Sequence, residues 1–363
     1  MTISRTLANS PYMQFAKLRS GATYNLASSG IMSYPLSELP VKLEALAING
    51  PDLYGYPPLR ERLAKLNGVT PEHVVCATGT SMANHLAFAA MLEPGEEALV
   101  EWPTYELLVS TLQYLGVDVR YFDRRMDRGF RVDPAEVARQ ITPQTRLIVL
   151  TNLNNPTGAL IDDATLRTVG EIARKHHARV LVDEVYLEAM YEQRPRPAIH
   201  LGDHFVVTSS LTKAYGLSGL RCGWVLAEPE LAQRMRLIND FYGSIAAHTA
   251  ELLSVIALDD LDNVAARAKK LLAENRPVLD AFLKSRDDIG FFHPQFGTIA
   301  FPKLLHRNVD DLDHLLREKY DTSIVPGSYF GMPQHFRIGI GGDPEITREG
   351  LARLALALDE LRR

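Results

Sequence analysis

An α/β fold follows from three features of the chain: β-rich runs alternating with helical stretches between about residues 70 and 230, continuous apolar stretches inside several runs, and a change of character after residue 230. The strand segments are "HVVCA" (73–77), "EALVEW" (97–102), "VDVRYF" (117–122), "RLIVLT" (146–151), "RVLVDE" (179–184), "FVVTSS" (205–210) and "CGWVLA" (222–227). Together they predict one mostly parallel seven-stranded sheet. Runs such as "LIVL" and "VLV" leave no polar face, so helices must cover the sheet on both sides. Beyond 230 a long helix is predicted over "AARAKKLLAENRPVLDAFLKS" (265–285), then short strands "TIAFP" (298–302) and "HFRIGI" (335–340), and a helical "REGLARLALALDELRR" end. This reads as a smaller α+β domain. The predicted division is an N-terminal arm with part of the small domain at 1–48, a large domain at 49–250 and the small C-terminal domain at 251–363.

A length of 363 residues suits about two domains. Hydrophobic residues at 46% and charged residues at 23% are ordinary globular values, and no window is long and apolar enough to span a bilayer. The opening "MTISRTLANSPYMQFAKLRSG" lacks the apolar segment of a secretory signal, which makes the cytoplasm the expected location. The net charge of −5 comes from dispersed acidic and basic residues, so no footprint for nucleic acid or an anionic membrane is expected and the partner is a small molecule. Cys76 and Cys222 read as buried thiols, and the eleven histidines, His176 and His177 included, show no metal-ligand spacing. No metal is expected.

In parallel α/β sheets the site lies beyond the carboxyl ends of the strands, and here those ends carry the unusual residues. After "HVVCA", Gly79 permits a tight turn, and Thr80 and Ser81 open a helix whose free N–H groups suit a phosphate; taken alone, such residues more often make an ordinary helix cap. After "EALVEW", Tyr105 places an aromatic plane at a strand end. After "RLIVLT" comes "NLNNPTGAL", where Asn155 can both donate and accept. After "RVLV" comes "DEVY", where Asp183 requires a positive partner and Tyr186 follows three residues on. After "FVVTSS" comes Lys213, an amine that becomes a nucleophile once deprotonated, flanked by Ser210 and Arg221 as further phosphate ligands.

"SLTKAYGLSGLRCG", with "NNPTG" and "DEVY" in the same order, resembles the pyridoxal-phosphate enzymes of fold type I, and within them the class I/II aminotransferases. "GTS" and "PTY" add supporting matches, and the likeness spans nearly the whole chain; Cys222 stands where a small apolar residue is usual. The resemblance implies a pyridoxal 5′-phosphate cofactor bound as a Schiff base to Lys213, which also acts as the base. It implies Asp183 against the pyridine nitrogen, Tyr186 and Asn155 on the phenolic oxygen, and Tyr105 stacked on the ring. Thr80, Ser81, Ser210 and Arg221 would hold the phosphate. "FRIGI" makes Arg337 the implied fork for an amino acid's α-carboxylate, and "SSGI" brings Gly30 near it.

A homodimer with shared sites is implied as well, with Tyr56, or alternatively Tyr54, from "LYGYPPLRERLA" reaching the neighbour's phosphate and the N-terminal arm packing on the partner. The reaction expected is transfer of an amino group between an amino acid and a 2-oxo acid. A lyase, decarboxylase or cyclising synthase on the same fold is the alternative. A regulator carrying a DNA-binding head is disfavoured, since the chain shows no basic helix-turn-helix. The sequence assigns no second arginine to a substrate side chain and does not name the amino acid.

Overall fold

The computed structural model describes residues 9–51 and 53–362. Seven strands make the central sheet: β1 (Val74–Thr78), β2 (Glu97–Trp102), β3 (Asp118–Asp123), β4 (Thr145–Thr151), β5 (Arg179–Asp183), β6 (Phe205–Ser210) and β7 (Cys222–Leu226). All seven predicted segments are present with ends moved by one residue at most; β1, for instance, starts at Val74 because His73 closes a 3₁₀ turn. The spatial order is β1-β7-β6-β5-β4-β2-β3. Only β7 runs against its neighbours, antiparallel to both β6 and β1. The chain between β6 and β7 folds back through a short helix, Thr212–Tyr215, and a 3₁₀ turn, Ser218–Leu220, rather than crossing a face of the sheet. That reversal brings Arg221, just ahead of β7, to the edge where the other strands end, and the Gly79 N–H after β1 donates to the Arg221 carbonyl at 2.8 Å.

Successive side chains of a strand point to opposite faces, and both faces here are apolar. In β4, Ile148 and Leu150 enter one core while Leu147 and Val149 enter the other; in β5, Val180 and Val182 part from Leu181 in the same way. Helices α2 (Pro57–Asn67) and α3 (Gly79–Met91) lie on opposite faces, contributing Leu59 and Leu63 to the first core and Ala83, Leu86 and Phe88 to the second. Each fully buried aliphatic side chain is worth about 1.5–3 kcal/mol, so the sheet is a stiff platform for whatever its edge carries. Cys222 is buried as expected, whereas Cys76 is only half-buried.

The C-terminal region has its own core, built on the helices Leu261–Lys284, Val309–Tyr320 and Pro344–Leu361. Its antiparallel sheet comprises β8 (Ile299–Ala300), β9 (Val325–Pro326) and β10 (Phe336–Gly339) in the order β8-β10-β9. The long helix predicted at 265–285 begins four residues earlier, and the strands predicted at 298–302 and 335–340 are shorter. Leu26 and Ile31 join this core beside Phe336 and Leu351, and Tyr24–Asn25 pairs in parallel with Thr322–Ser323.

From residue 11 the N-terminal arm forms α1 (Pro11–Leu18) and docks on its own chain, while the first eight residues of the arm lie outside the described residues. Ser10 caps the helix by accepting from the Met13 N–H, and Pro11 suits the first turn. Tyr12 and Phe15, three residues apart, form an apolar stripe that must be covered, and they bury to 7% and 2% exposure against Phe330 and Tyr329.

Candidate active site

One cavity of about 210 Å³ sits at the sheet edge where the strand ends meet the N-terminal segment. Thr80, Ser81, Tyr105, Asn155, Asp183, Tyr186, Ser210, Lys213 and Arg221, each named from the sequence, all line it. Residues far apart in the chain converge because the parallel strands deliver their carboxyl ends to one side.

At the floor, Asp183 ends β5 and is 3% exposed. Its carboxylate accepts from Asn84 Nδ2 at 2.8 Å and from the Val185 N–H at 3.1 Å. Burial pushes this carboxyl up to about 6, with the two hydrogen bonds opposing the rise, so a cation placed beside it would be strongly favoured. Asn84 is fixed in turn by the Thr208 hydroxyl, which donates to its Oδ1 at 2.6 Å.

Polar atoms nearby lack partners. Tyr186 Oη and Thr80 Oγ1 are buried without a hydrogen-bond partner among the described residues, which is costly unless a ligand supplies one. Thr80 lies in the first turn of α3, where unpaired N–H groups attract anions. Gly79 has φ +75°, a conformation that suits glycine, and the Arg221 guanidinium crosses the helix end over it, Nη2 lying 2.3 Å from where a Cβ would stand. Arg221 itself, in the left-handed region at φ 52°, donates to the carbonyls of Thr78 and Ser218 and stays exposed. Ser210 is buried, its Oγ accepting from the Thr212 N–H. Hydroxyls, a guanidinium and a helix N-terminus around one point fit a phosphate, and the buried carboxylate across the cavity fits a protonated ring nitrogen. These residues therefore fit pyridoxal phosphate.

Lys213 Nζ donates to Ser29 Oγ at 3.2 Å, and its carbonyl accepts from the Ile31 N–H at 2.8 Å. Gly30 lies against the lysine: a Cβ there would approach Lys213 Cα and Cδ at 3.3 Å. Arg337, from β10, is completely buried. It donates to Asn155 Oδ1 at 2.9 Å, Tyr12 Oη at 2.8 Å and the Ala27 carbonyl at 3.3 Å. Tyr105 meets Tyr12 edge-on at 5.6 Å, and its hydroxyl lies 3.4 Å from Met13 Sδ.

Tyr56 lies outside the cavity of its own chain, edge-on to His248, with its N–H donating to Glu251 Oε1 at 2.9 Å. Tyr54 is exposed and donates to Asp240. Sequence reasoning missed Tyr12, Ser29, Asn84 and Thr208. Asn84 carried a readable signal, an amide four residues after Thr80 in a helix that is apolar from Leu86 onward; Tyr12 carried none, since its partner Arg337 is 325 residues away.

The chain resembles known proteins over most of its length. Residues 47–354 match the family described as aminotransferase class I and II. Capreomycidine synthase of Streptomyces vinaceus is 30% identical over 92% of this chain and 89% of its own length. The arginine–pyruvate transaminase of Pseudomonas aeruginosa is 27% identical over 85% and 82%. A PLP-dependent aminotransferase structure from Streptococcus suis superposes with a TM-score of 0.90, at 27% identity and 96% coverage of both chains.

Proposed function

The chain belongs to the aminotransferase class I and II family, and from that premise we propose that it is a pyridoxal-phosphate-dependent transaminase moving an amino group between an amino acid and a 2-oxo acid, with Lys213 as its Schiff-base lysine. The observation that carries this reading is the shared cavity of Lys213 and the buried Asp183, lined also by the Thr80 and Tyr186 hydroxyls, which have no partner among the described residues. When bound, the cofactor supplies an electron sink for the pair left on the substrate's α-carbon after deprotonation.

The protein's own groups do the rest. Asp183, held by Asn84 and the Val185 N–H, would keep the ring nitrogen protonated. Tyr186 and Asn155 would bind the phenolic oxygen, and Tyr105 would cover the ring. Thr80, Ser81, Ser210 and Arg221 would hold the phosphate. Lys213, once free, takes the α-proton at Nζ and returns it, and the Ser29 hydroxyl fixes the amine between these tasks. Arg337 takes the substrate α-carboxylate, with Gly30 leaving room beside the lysine.

A homodimer is part of the proposal, a second copy supplying Tyr56, or Tyr54, to the phosphate. The exposed Leu53, Phe241, Tyr242 and Ile245 around that loop support it. The boundaries at 48 and 250 are retained, Leu26 and Ile31 tying the first segment to the C-terminal core. The cytoplasm is the proposed location.

A second reading, a synthase that cyclises its amino acid, is favoured by the 30% identity to capreomycidine synthase. Product analysis separates the two. Mixed with single amino acids, a transaminase releases a 2-oxo acid once per site and turns over only after a second 2-oxo acid is added. Sustained turnover of one amino acid, with no 2-oxo acid released or required, would replace the transaminase by the synthase.

A further inference from the structure

The guanidinium of Arg337 is already engaged by its own chain. Nη1 donates to Asn155 Oδ1, and Nη2 donates to both Tyr12 Oη at 2.8 Å and the Ala27 carbonyl at 3.3 Å. Nε has no partner among the described residues. The rings of Tyr12 and Phe330 flank the group, their centroids 5.4 and 5.2 Å from its central carbon. Tyr12 and Asn155 line the cavity, whereas Arg337, with 0% exposure, does not.

A carboxylate is held best by two parallel N–H···O bonds along one edge of the fork. The fork has two such edges, Nε with Nη2 and Nη1 with Nη2, and both need Nη2. Both Nη2 protons are taken. A bidentate carboxylate must therefore displace an acceptor from that nitrogen. The Ala27 carbonyl belongs to backbone pinned on either side, the Gly339 N–H donating to the Leu26 carbonyl before it and the Ser28 N–H donating to Asn25 Oδ1 after it. The tyrosine is a side chain and can swing.

We propose that Tyr12 is a gate on the carboxylate fork: its phenol oxygen occupies the place on Arg337 that the substrate α-carboxylate must take, so each binding event exchanges one for the other. The inference rests on Arg337 being the α-carboxylate fork. The oxygen suits a carboxylate's place: burial alone would raise the Tyr12 phenol, but Arg337, Lys213 and the Ser29 hydroxyl outweigh it and hold the group below the usual tyrosine range. Helix α1 stays anchored during the exchange by Phe15 against Tyr329 and by the Ser10 hydroxyl on Glu106, so the phenol returns when the carboxylate leaves.

The test is calorimetric titration of the holoenzyme with propionate, a carboxylate that has no amino group to react. Tyr12→Phe keeps the ring over the guanidinium and removes the competing oxygen, so propionate should bind about tenfold tighter, the scale of one charge-assisted hydrogen bond. KM for amino acids should fall alongside, with no rise in kcat. Tyr12→Leu, also lacking the oxygen, should shift binding in the same direction and serves if the first variant folds poorly. Weaker binding in both variants would overturn the gate and make the phenol a carboxylate ligand; unchanged binding would reduce Tyr12 to packing. Arg337→Lys should abolish propionate binding. If it does not, the assignment of the fork fails, an outcome distinct from failure of the gate.

Discussion

The two ends of the cavity differ in how their polar groups are satisfied. At the cofactor end, Tyr186 Oη and Thr80 Oγ1 are buried without partners among the described residues, and Asp183 is a buried carboxylate with neutral donors only. At the carboxylate end, Arg337 is nearly saturated by Tyr12, Asn155 and Ala27. A group that binds once and stays can be met by unsatisfied atoms, since the cost of leaving them bare falls only on the cofactor-free protein. A ligand that arrives and leaves in every cycle is better met by a site that closes on itself between visits.

The largest test of the first half of that contrast is Lys213→Ala. Removing the amine takes away nucleophile and base together, and turnover should fall by about 10⁴-fold or more. Cofactor should still bind through the other groups, now removable by dialysis, and borohydride reduction, which in the wild type should fix it to the peptide carrying Lys213, should leave no covalent label. Label on another lysine, or turnover within a hundredth of wild type, would break the assignment.

Asp183→Asn comes next. Loss of the single charge opposing the ring nitrogen should lower kcat by about 10²–10³-fold, on the scale of removing one preorganised electrostatic group. The cofactor-free protein offers a second measurement. Its Asp183 carboxyl sits near 6 against an ordinary 3.8, so the folded state holds that proton more tightly than the unfolded state does. The resulting stability is complete below about pH 4 and lost as pH rises through about 6, a change of up to about 3 kcal/mol. Denaturant titrations should show the cofactor-free wild type losing stability across that window relative to Asp183→Asn, and cofactor loading should erase the difference. Parallel curves with and without cofactor would mean that the carboxylate never meets a cation.

Legibility in the sequence follows the same division. The strand-end residues were readable because each follows its own apolar run by a few positions, and a parallel sheet gathers such positions whatever the loops do. Asp183, Asn155 and Lys213 needed only that rule. The carboxylate end needed long-range packing: Tyr12 reaches Arg337 because Phe15 seats α1 against Tyr329, and Ser29 reaches Lys213 because Gly30 lets the segment pass tightly over the lysine. Neither seat leaves a periodicity or a motif in the chain. The docking of the arm on its own chain was unreadable for a similar reason, its two buried aromatic residues showing nothing of the surface that receives them.

The smallest effect belongs to the layer behind the cofactor end, and Asn84→Ala isolates it. Asn84 touches Asp183 at 2.8 Å and receives the Thr208 hydroxyl at 2.6 Å, so truncation leaves the carboxylate with the Val185 N–H alone and strands a buried hydroxyl. The charge opposite the ring survives, so the loss must be far smaller than for Asp183→Asn: about tenfold in kcat, the scale of one hydrogen bond to a charged group. Its direction with pH is fixed by the same bond. Asn84 holds the ionised form of Asp183 against the desolvation that favours its proton, and without it the carboxyl titrates higher. The acid limb of the kcat profile should therefore move to higher pH while the alkaline limb stays. Should Asn84→Ala lower the melting temperature and leave the acid limb in place, the amide would be a packing contact. The unsatisfied cofactor end would then be tuned by burial alone.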